Sequence, residues 1–243
     1  MGIFHHELPQ GIAWFTLALA AVTLVLCWRR APWARLKSDG VLFTWLATTT
    51  ITTSTWLFSV KVQPDFSLFL LCTPLIALMF GPALAILSIA IALCFYTYMI
   101  DGVWANLGLN LLLDGVLPAL VSHTVVRLSQ RHLPRNVFVY LFISSFFGGI
   151  VAIASVMLAS IGLQAIAGYY PARYLVEEVL PSALLLAWGE GLTLGMIASA
   201  LTIYAPAVML SFDDASYLAK GPARFGDRPA DRPDFGDPNQ HKH

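Results

Sequence analysis

Three groups of residues in this sequence carry side chains able to do chemistry. The first is Glu190, the only charge in the stretch SALLLAWGEGLTLGMIASALTIY from Ser182 to Tyr204. A charge at the centre of a membrane helix costs about 2.5–3.5 kcal/mol, and each surrounding leucine or isoleucine returns about 0.3–0.6 kcal/mol. Insertion is therefore allowed, but the carboxylate must face a bundle interior and find a donor, a proton or an ion. Two readings follow. Glu190 either hydrogen-bonds across a helix interface and fixes packing, or it lines a substrate path. The second group is Asn106, Asn110 and Asp114, spaced i, i+4, i+8 and so on one helix face. Pro118 removes the helical partner of the Asp114 carbonyl, an opening for a cation or a water. The third group is His5, His6 and Glu7, the densest set of metal-capable ligands, whose imidazoles and carboxylate suit nickel, cobalt, copper or zinc. Adjacent histidines cannot close a four-ligand site alone, and the competing reading is a polar cap before the first helix. His123 reads as a structural histidine, and Met79, Met99, Cys72 and Cys94 read as packing.

The elements that must position these groups follow from composition. Of 243 residues, 58% are hydrophobic and 12% charged, with a mean hydropathy of +0.72. Soluble domains carry roughly 25% charge, so the chain is a polytopic membrane protein. Its zero formal charge says little, because the placement of charge matters in a bilayer rather than its sum. Cys27, Cys72 and Cys94 all fall in apolar stretches, which supports neither a disulfide framework nor a CxxC metal site. A span needs about twenty mostly apolar residues. Seven candidates appear: 11–28, 41–60, a short 67–80, 83–100, 109–128, 137–160 and 182–204. Gly81-Pro82 breaks the third from the fourth. The threonine-rich second span is tolerable because hydroxyls can bond back to their own helix. The expected fold class is all-α, a membrane helix bundle of about seven helices, with an extracytoplasmic segment 1–10, a transmembrane region 11–205 and a largely disordered cytoplasmic tail 206–243 rich in proline, glycine and charge.

Arginine and lysine set the orientation. The connections WRRAPWARLKSDG and RLSQRHLPRN carry Arg29, Arg30, Arg35, Lys37, Arg127, Arg131 and Arg135, whereas the other loops hold only Lys61 and Arg173, so both should face the cytoplasm. The N-terminus then lies outside and the C-terminus inside, consistent with an odd number of spans. No positive region and cleavage site precede the first helix, so no removable signal peptide is expected. Gly191 and Gly195 form GxxxG, and with Ser199 they continue a small-residue stripe that a neighbouring helix can approach closely.

The run GPALAILSIAIALCFYTYMIDGVWANLGLNLLLDGVLPALVS, together with WGEGLTLGMIASAL, resembles the CbiM/NikM family, the substrate-binding membrane subunits of energy-coupling factor transporters for cobalt and nickel. The matching elements are Gly81-Pro82, Asp101-Gly102, Leu107-Gly108-Leu109-Asn110 and Gly189-Glu190-Gly191, over roughly residues 65–205. The order and spacing of these elements carry the likeness, and seven helices with an outside N-terminus is what the family implies. The family pattern begins Met-His-Ile-Pro, with the amino terminus and the second-position histidine chelating the metal. This chain begins Met-Gly-Ile-Phe-His-His, so His5 or His6 would have to substitute. Phe69 stands where the family has a second histidine, and the square-planar site is not carried over. The chain is closer in style to proteobacterial permease-like relatives, which end the last span with a proline and an F-D-D-x-x-Y-L element. Here that element holds Phe212, Asp213, Asp214 and Tyr217, a candidate partner contact just inside the membrane or an amphipathic surface helix.

The expected function is a substrate-capture component of a transition-metal uptake system in the bacterial inner membrane. It has no intrinsic cofactor and takes a transition metal ion as substrate. No Walker motif occurs, so energy must come from ATP-binding subunits and an energy-coupling transmembrane subunit. Lipid is a partner and nucleic acid is not. No nucleophile and base pair supports an enzyme. The alternative is an accessory or assembly membrane protein without transport activity.

Overall fold

A computed structural model describes residues 8–212, except 38–39, 59, 64–65, 69, 101, 135 and 169. His5, His6 and Glu7 lie outside the described residues, as do Asp213, Asp214 and Tyr217. The architecture is a helical bundle: α1 (Gln10–Arg30), α2 (Val41–Leu57), α3 (Thr73–Phe80), α4 (Pro82–Met99), α5 (Trp104–His132), α6 (Val137–Ala167) and α7 (Leu175–Tyr204). Five of these, α1 and α4 to α7, are long and apolar enough to cross a membrane, with mean hydropathies of 1.5 to 2.3. Their outward faces are apolar, as lipid requires: Trp14, Phe15, Leu185 and Ile203 are all exposed.

Helix α2 has 17 residues and closes its polar side chains on itself. The hydroxyls of Thr44, Thr48, Thr49, Thr50, Thr53 and Ser54 each donate to the carbonyl four residues back, at 2.7–2.9 Å. The single Thr49 proton is shared between that carbonyl and Ser88 Oγ on α4, 3.0 Å away, which ties the two helices together. The threonine-rich span therefore forms for the reason its composition predicts.

The third predicted span, 67–80, needs correction. Only Thr73–Phe80 is helical, and eight residues rise about 12 Å against a hydrocarbon thickness of about 30 Å. Upstream, β1 (Val60–Gln63) and β2 (Phe66–Leu68) pair antiparallel, with Val60 opposite Leu68 and an irregularity between Lys61 and Gln63. Alternation in VKVQ and FSL, on either side of Pro64-Asp65, is the signal for this hairpin. Between hairpin and helix, Cys72 takes a left-handed φ of 58°. Gly81 (φ 88°) and Pro82 end α3 and begin α4, as the sequence predicts. Every residue of α3 is buried, so the half-helix has protein on all sides. That is the condition under which a broken backbone survives at membrane depth.

Residues 206–212, assigned to the tail from sequence, belong to the folded bundle. A 3-10 turn at Pro206–Val208 leads to Met209 and Phe212, which are 1% and 6% exposed.

Candidate functional site

Glu190 faces the interior of the bundle and is 2% exposed. Its carboxylate accepts two backbone hydrogen bonds, from Leu71 N at 3.1 Å and from Cys72 N at 2.7 Å. These N–H groups head the half-helix α3 and have no helical partner, because the chain before them is irregular. A charged acceptor near a helix N-terminus also suits the positive end of its dipole. Glu190 thus clamps the broken backbone from α7. The flanking glycines let α6 come close: a Cβ at Gly191 would collide with Ile150 Cγ1 and lie 3.0 Å from the Phe146 carbonyl, and one at Gly195 would lie 3.3 Å from Phe146 Cβ. A Cβ at Gly189 would meet nothing within 4 Å.

The other end of α3 is also held. Leu210 N donates to the Met79 carbonyl at 2.8 Å, and Ser211 N and Oγ donate to the Leu78 carbonyl at 3.2 and 2.8 Å. Ser211 is fixed in turn by Tyr140 Oη at 2.6 Å and by Gln130 Nε2, which donates to its carbonyl at 3.2 Å. Phe212 packs on Tyr140 with ring centroids 5.1 Å apart. Both caps of the half-helix are therefore supplied by α7 and its continuation, and Phe212 is committed to the fold rather than to a free partner surface. Nothing in the sequence marks residues 210–211 as caps, since they act through backbone groups and a single hydroxyl.

Asn106, Asn110 and Asp114 are all buried, with Asp114 at 0% exposure. The stripe faces inward as its spacing predicts, although Leu111–Val116 is wound as a π-helix rather than an α-helix. Insertions of that kind are frequent at functional sites. Pro118 has no N–H to offer the Asp114 carbonyl four residues back, and Thr73 Oγ1 donates to it at 2.7 Å, where the sequence leaves an opening for a cation or a water. Cys72 and Thr73, adjacent in sequence, thereby join Glu190 of α7 to Asp114 of α5. The Asp114 carboxylate differs: neither Oδ1 nor Oδ2 has a hydrogen-bond partner among the described residues. A fully buried carboxylate left this way is expensive unless a cation, a proton or a donor meets it.

At the Asn106 end of the stripe Leu8 N donates to Asn106 Oδ1 at 3.4 Å, which ties the residues before α1 to the start of α5. Helix α1 lies against α5 at Gly108, where a Cβ would sit 2.5 Å from Leu17 N and 2.6 Å from Leu17 Cα. Only glycine permits that approach. Among the described residues no group of three His, Cys, Asp or Glu side chains stands close enough to hold a metal ion. His123 is half-buried on α5. Cys72 is half-buried and Met79 buried, while Cys94 and Met99 are exposed on the apolar exterior. These four are not brought together.

The comparisons agree with this architecture. Residues 3–208 match the CbiM family, described as the cobalt uptake substrate-specific transmembrane region. Two crystal structures share the fold. One, of a transition metal transporter, has a TM-score of 0.70 at 18% identity, covering 91% of this chain and 100% of the other. The second, of a truncated transition metal transporter, has a TM-score of 0.69 at 18% identity, covering 84% and 99%. No curated protein matches. With the match spanning most of its length and five apolar helices able to cross a membrane, the chain is a multi-pass membrane protein that belongs to the CbiM family of transition-metal uptake components.

Proposed function

We propose that this chain is the substrate-capture subunit of an energy-coupling factor type uptake system, and that it takes a divalent transition metal ion such as cobalt or nickel from outside the cell. The observation that carries the reading is the Asp114 carboxylate, fully buried with both oxygens unpartnered among the described residues, at one end of a polar stripe whose other end holds Leu8. The residues just before Leu8 are His5, His6 and Glu7. Their imidazoles would supply the nitrogen ligands that transition metals favour, and Asp114 would supply the negative charge. Asn106 and Asn110 complete the path. Glu190 bounds it by holding residues 71–72 in place instead of binding the ion itself.

Seven passages fit the same arrangement. Arg30, Arg127 and Leu210 line one cleft, so the two basic connections and the end of the described chain share a face. Leu8 and Asn106 sit one helix length away, at the opposite ends of α1 and α5. An odd number of crossings joins the two faces, with the chain between α2 and α4, the half-helix α3 included, returning the backbone to the arginine-bearing face. The arginine-bearing face is the cytoplasmic one, where the ATP-binding and transmembrane partners would engage.

Isothermal titration of the purified full chain with cobalt and nickel tests the reading. Saturable binding near one ion per chain, abolished by Asp114→Asn and by His5→Ala/His6→Ala, supports it. Absence of binding in the wild type favours an accessory protein without transport activity.

A further inference from the structure

The cytoplasmic-side cleft has a composition that helix packing does not require. Its volume is about 600 Å³, within the range of about 300–1,000 Å³ typical of ligand sites. Leu26 of α1, Ile86 of α4, and Val116 and Leu120 of α5 form apolar walls, while the Gly81-Pro82 break and Leu210 also line it. Arg30 and Arg127, from different helices, line it as well, and both are exposed. Among the described residues no acidic side chain lines the cleft. Two guanidiniums set against one apolar recess gain nothing from each other. Two other apolar clefts, of about 640 Å³ between α5 and α6 and about 300 Å³ between α6 and α7, carry no arginine.

We propose that this cleft binds one anionic phospholipid. Its phosphate is held by Arg30 and Arg127, and one acyl chain runs between α1, α4 and α5. Guanidinium is the side chain best matched to phosphate oxygens, through paired N–H donors. Basic recesses between membrane helices on the cytoplasmic side suit anionic headgroups, and the apolar walls below them take an acyl chain in exchange for bulk lipid. The lipid would press on the point where α3 ends. At Gly81 a Cβ would lie only 3.0 Å from Leu210 Cδ2, so an occupant there also braces the cap of the half-helix.

Native mass spectrometry of the full chain in mild detergent tests this, with phosphatidylglycerol, phosphatidylcholine of the same acyl composition, and inorganic phosphate as probes. One phosphatidylglycerol should survive activation that strips phosphatidylcholine, and the paired Arg30→Gln/Arg127→Gln variant should reduce its retention about tenfold or more. Phosphatidylglycerol should also raise the melting temperature of the wild type but not of the paired variant, whose helical circular dichroism should be unchanged. Four results overturn the proposal: equal retention of phosphatidylcholine, equal stabilisation by phosphate alone, undiminished lipid retention in the paired variant, or lipid binding that arises only once residues 213–243 are deleted. The last would assign the cleft to the acidic residues that follow Phe212.

Discussion

Replacing Glu190 should unfold the protein from the inside. The carboxylate accepts from two backbone N–H groups at 2.7 and 3.1 Å, and Leu71, one of the donors, is completely buried. No water is at hand to replace the lost acceptor in the hydrocarbon region. Each unsatisfied buried donor costs about 1–3 kcal/mol, so Glu190→Ala should destabilise by about 2–6 kcal/mol. Glu190→Gln keeps one acceptor oxygen but turns an amide NH2 toward the second N–H, and should cost about half as much. Leu185→Ala, on the same helix but 75% exposed to lipid, is the control. Reversible unfolding in mixed mild detergent and dodecyl sulfate, followed by tryptophan fluorescence, gives the free-energy differences. If Glu190→Ala unfolds together with the control yet loses metal, the clamp is wrong and Glu190 belongs to the substrate path.

Further outcomes follow from the same contacts. Thr73→Val, nearly isosteric, leaves the Asp114 carbonyl without a donor and should cost about 1–3 kcal/mol in the same unfolding assay. Gly191→Ala should cost about 1–3 kcal/mol by overpacking against Ile150, whereas Gly189→Ala meets nothing and should be neutral or stabilising by up to about 1 kcal/mol. Gly108→Ala drives a Cβ into the backbone of α1 at Leu17. It should separate α1 from α5 and weaken cobalt binding, measured by titration, more than any lipid-facing alanine substitution. Truncation after Phe212 should leave the melting temperature unchanged, while truncation after Met209 should lower it by removing both caps of Leu78 and Met79.

Much of the bundle was legible because lipid imposes a simple rule: long apolar runs become helices, and rare polar groups turn inward. That rule placed Glu190, Asn106, Asn110 and Asp114 in the interior and identified the Gly81-Pro82 break. Pro118 marked the Asp114 carbonyl as an opening for a cation or a water, and the structure fills it with the Thr73 hydroxyl instead. What the rule could not supply was the partner of each group, because Thr73 reaches Asp114 and Glu190 reaches Leu71 and Cys72 across long stretches of sequence. The short third segment misled for a related reason. Its hydrophobicity is that of a span, but the hydrophobicity reflects complete burial in protein rather than exposure to lipid, and periodicity does not separate the two. Residues 210–212 read as a tail because two backbone donors, one serine hydroxyl and a single buried ring hold them, too few side chains to make a pattern.

The cargo ion is proposed to sit beside Asp114, on the polar stripe that Asn106 begins. Anomalous diffraction from crystals of the full chain grown with cobalt measures this directly. The account predicts one strong peak within ligating distance of the Asp114 carboxylate, absent in Asp114→Asn crystals. A peak at Glu190, at the exposed Cys94 or in the arginine-lined cleft, with none at Asp114, would contradict it.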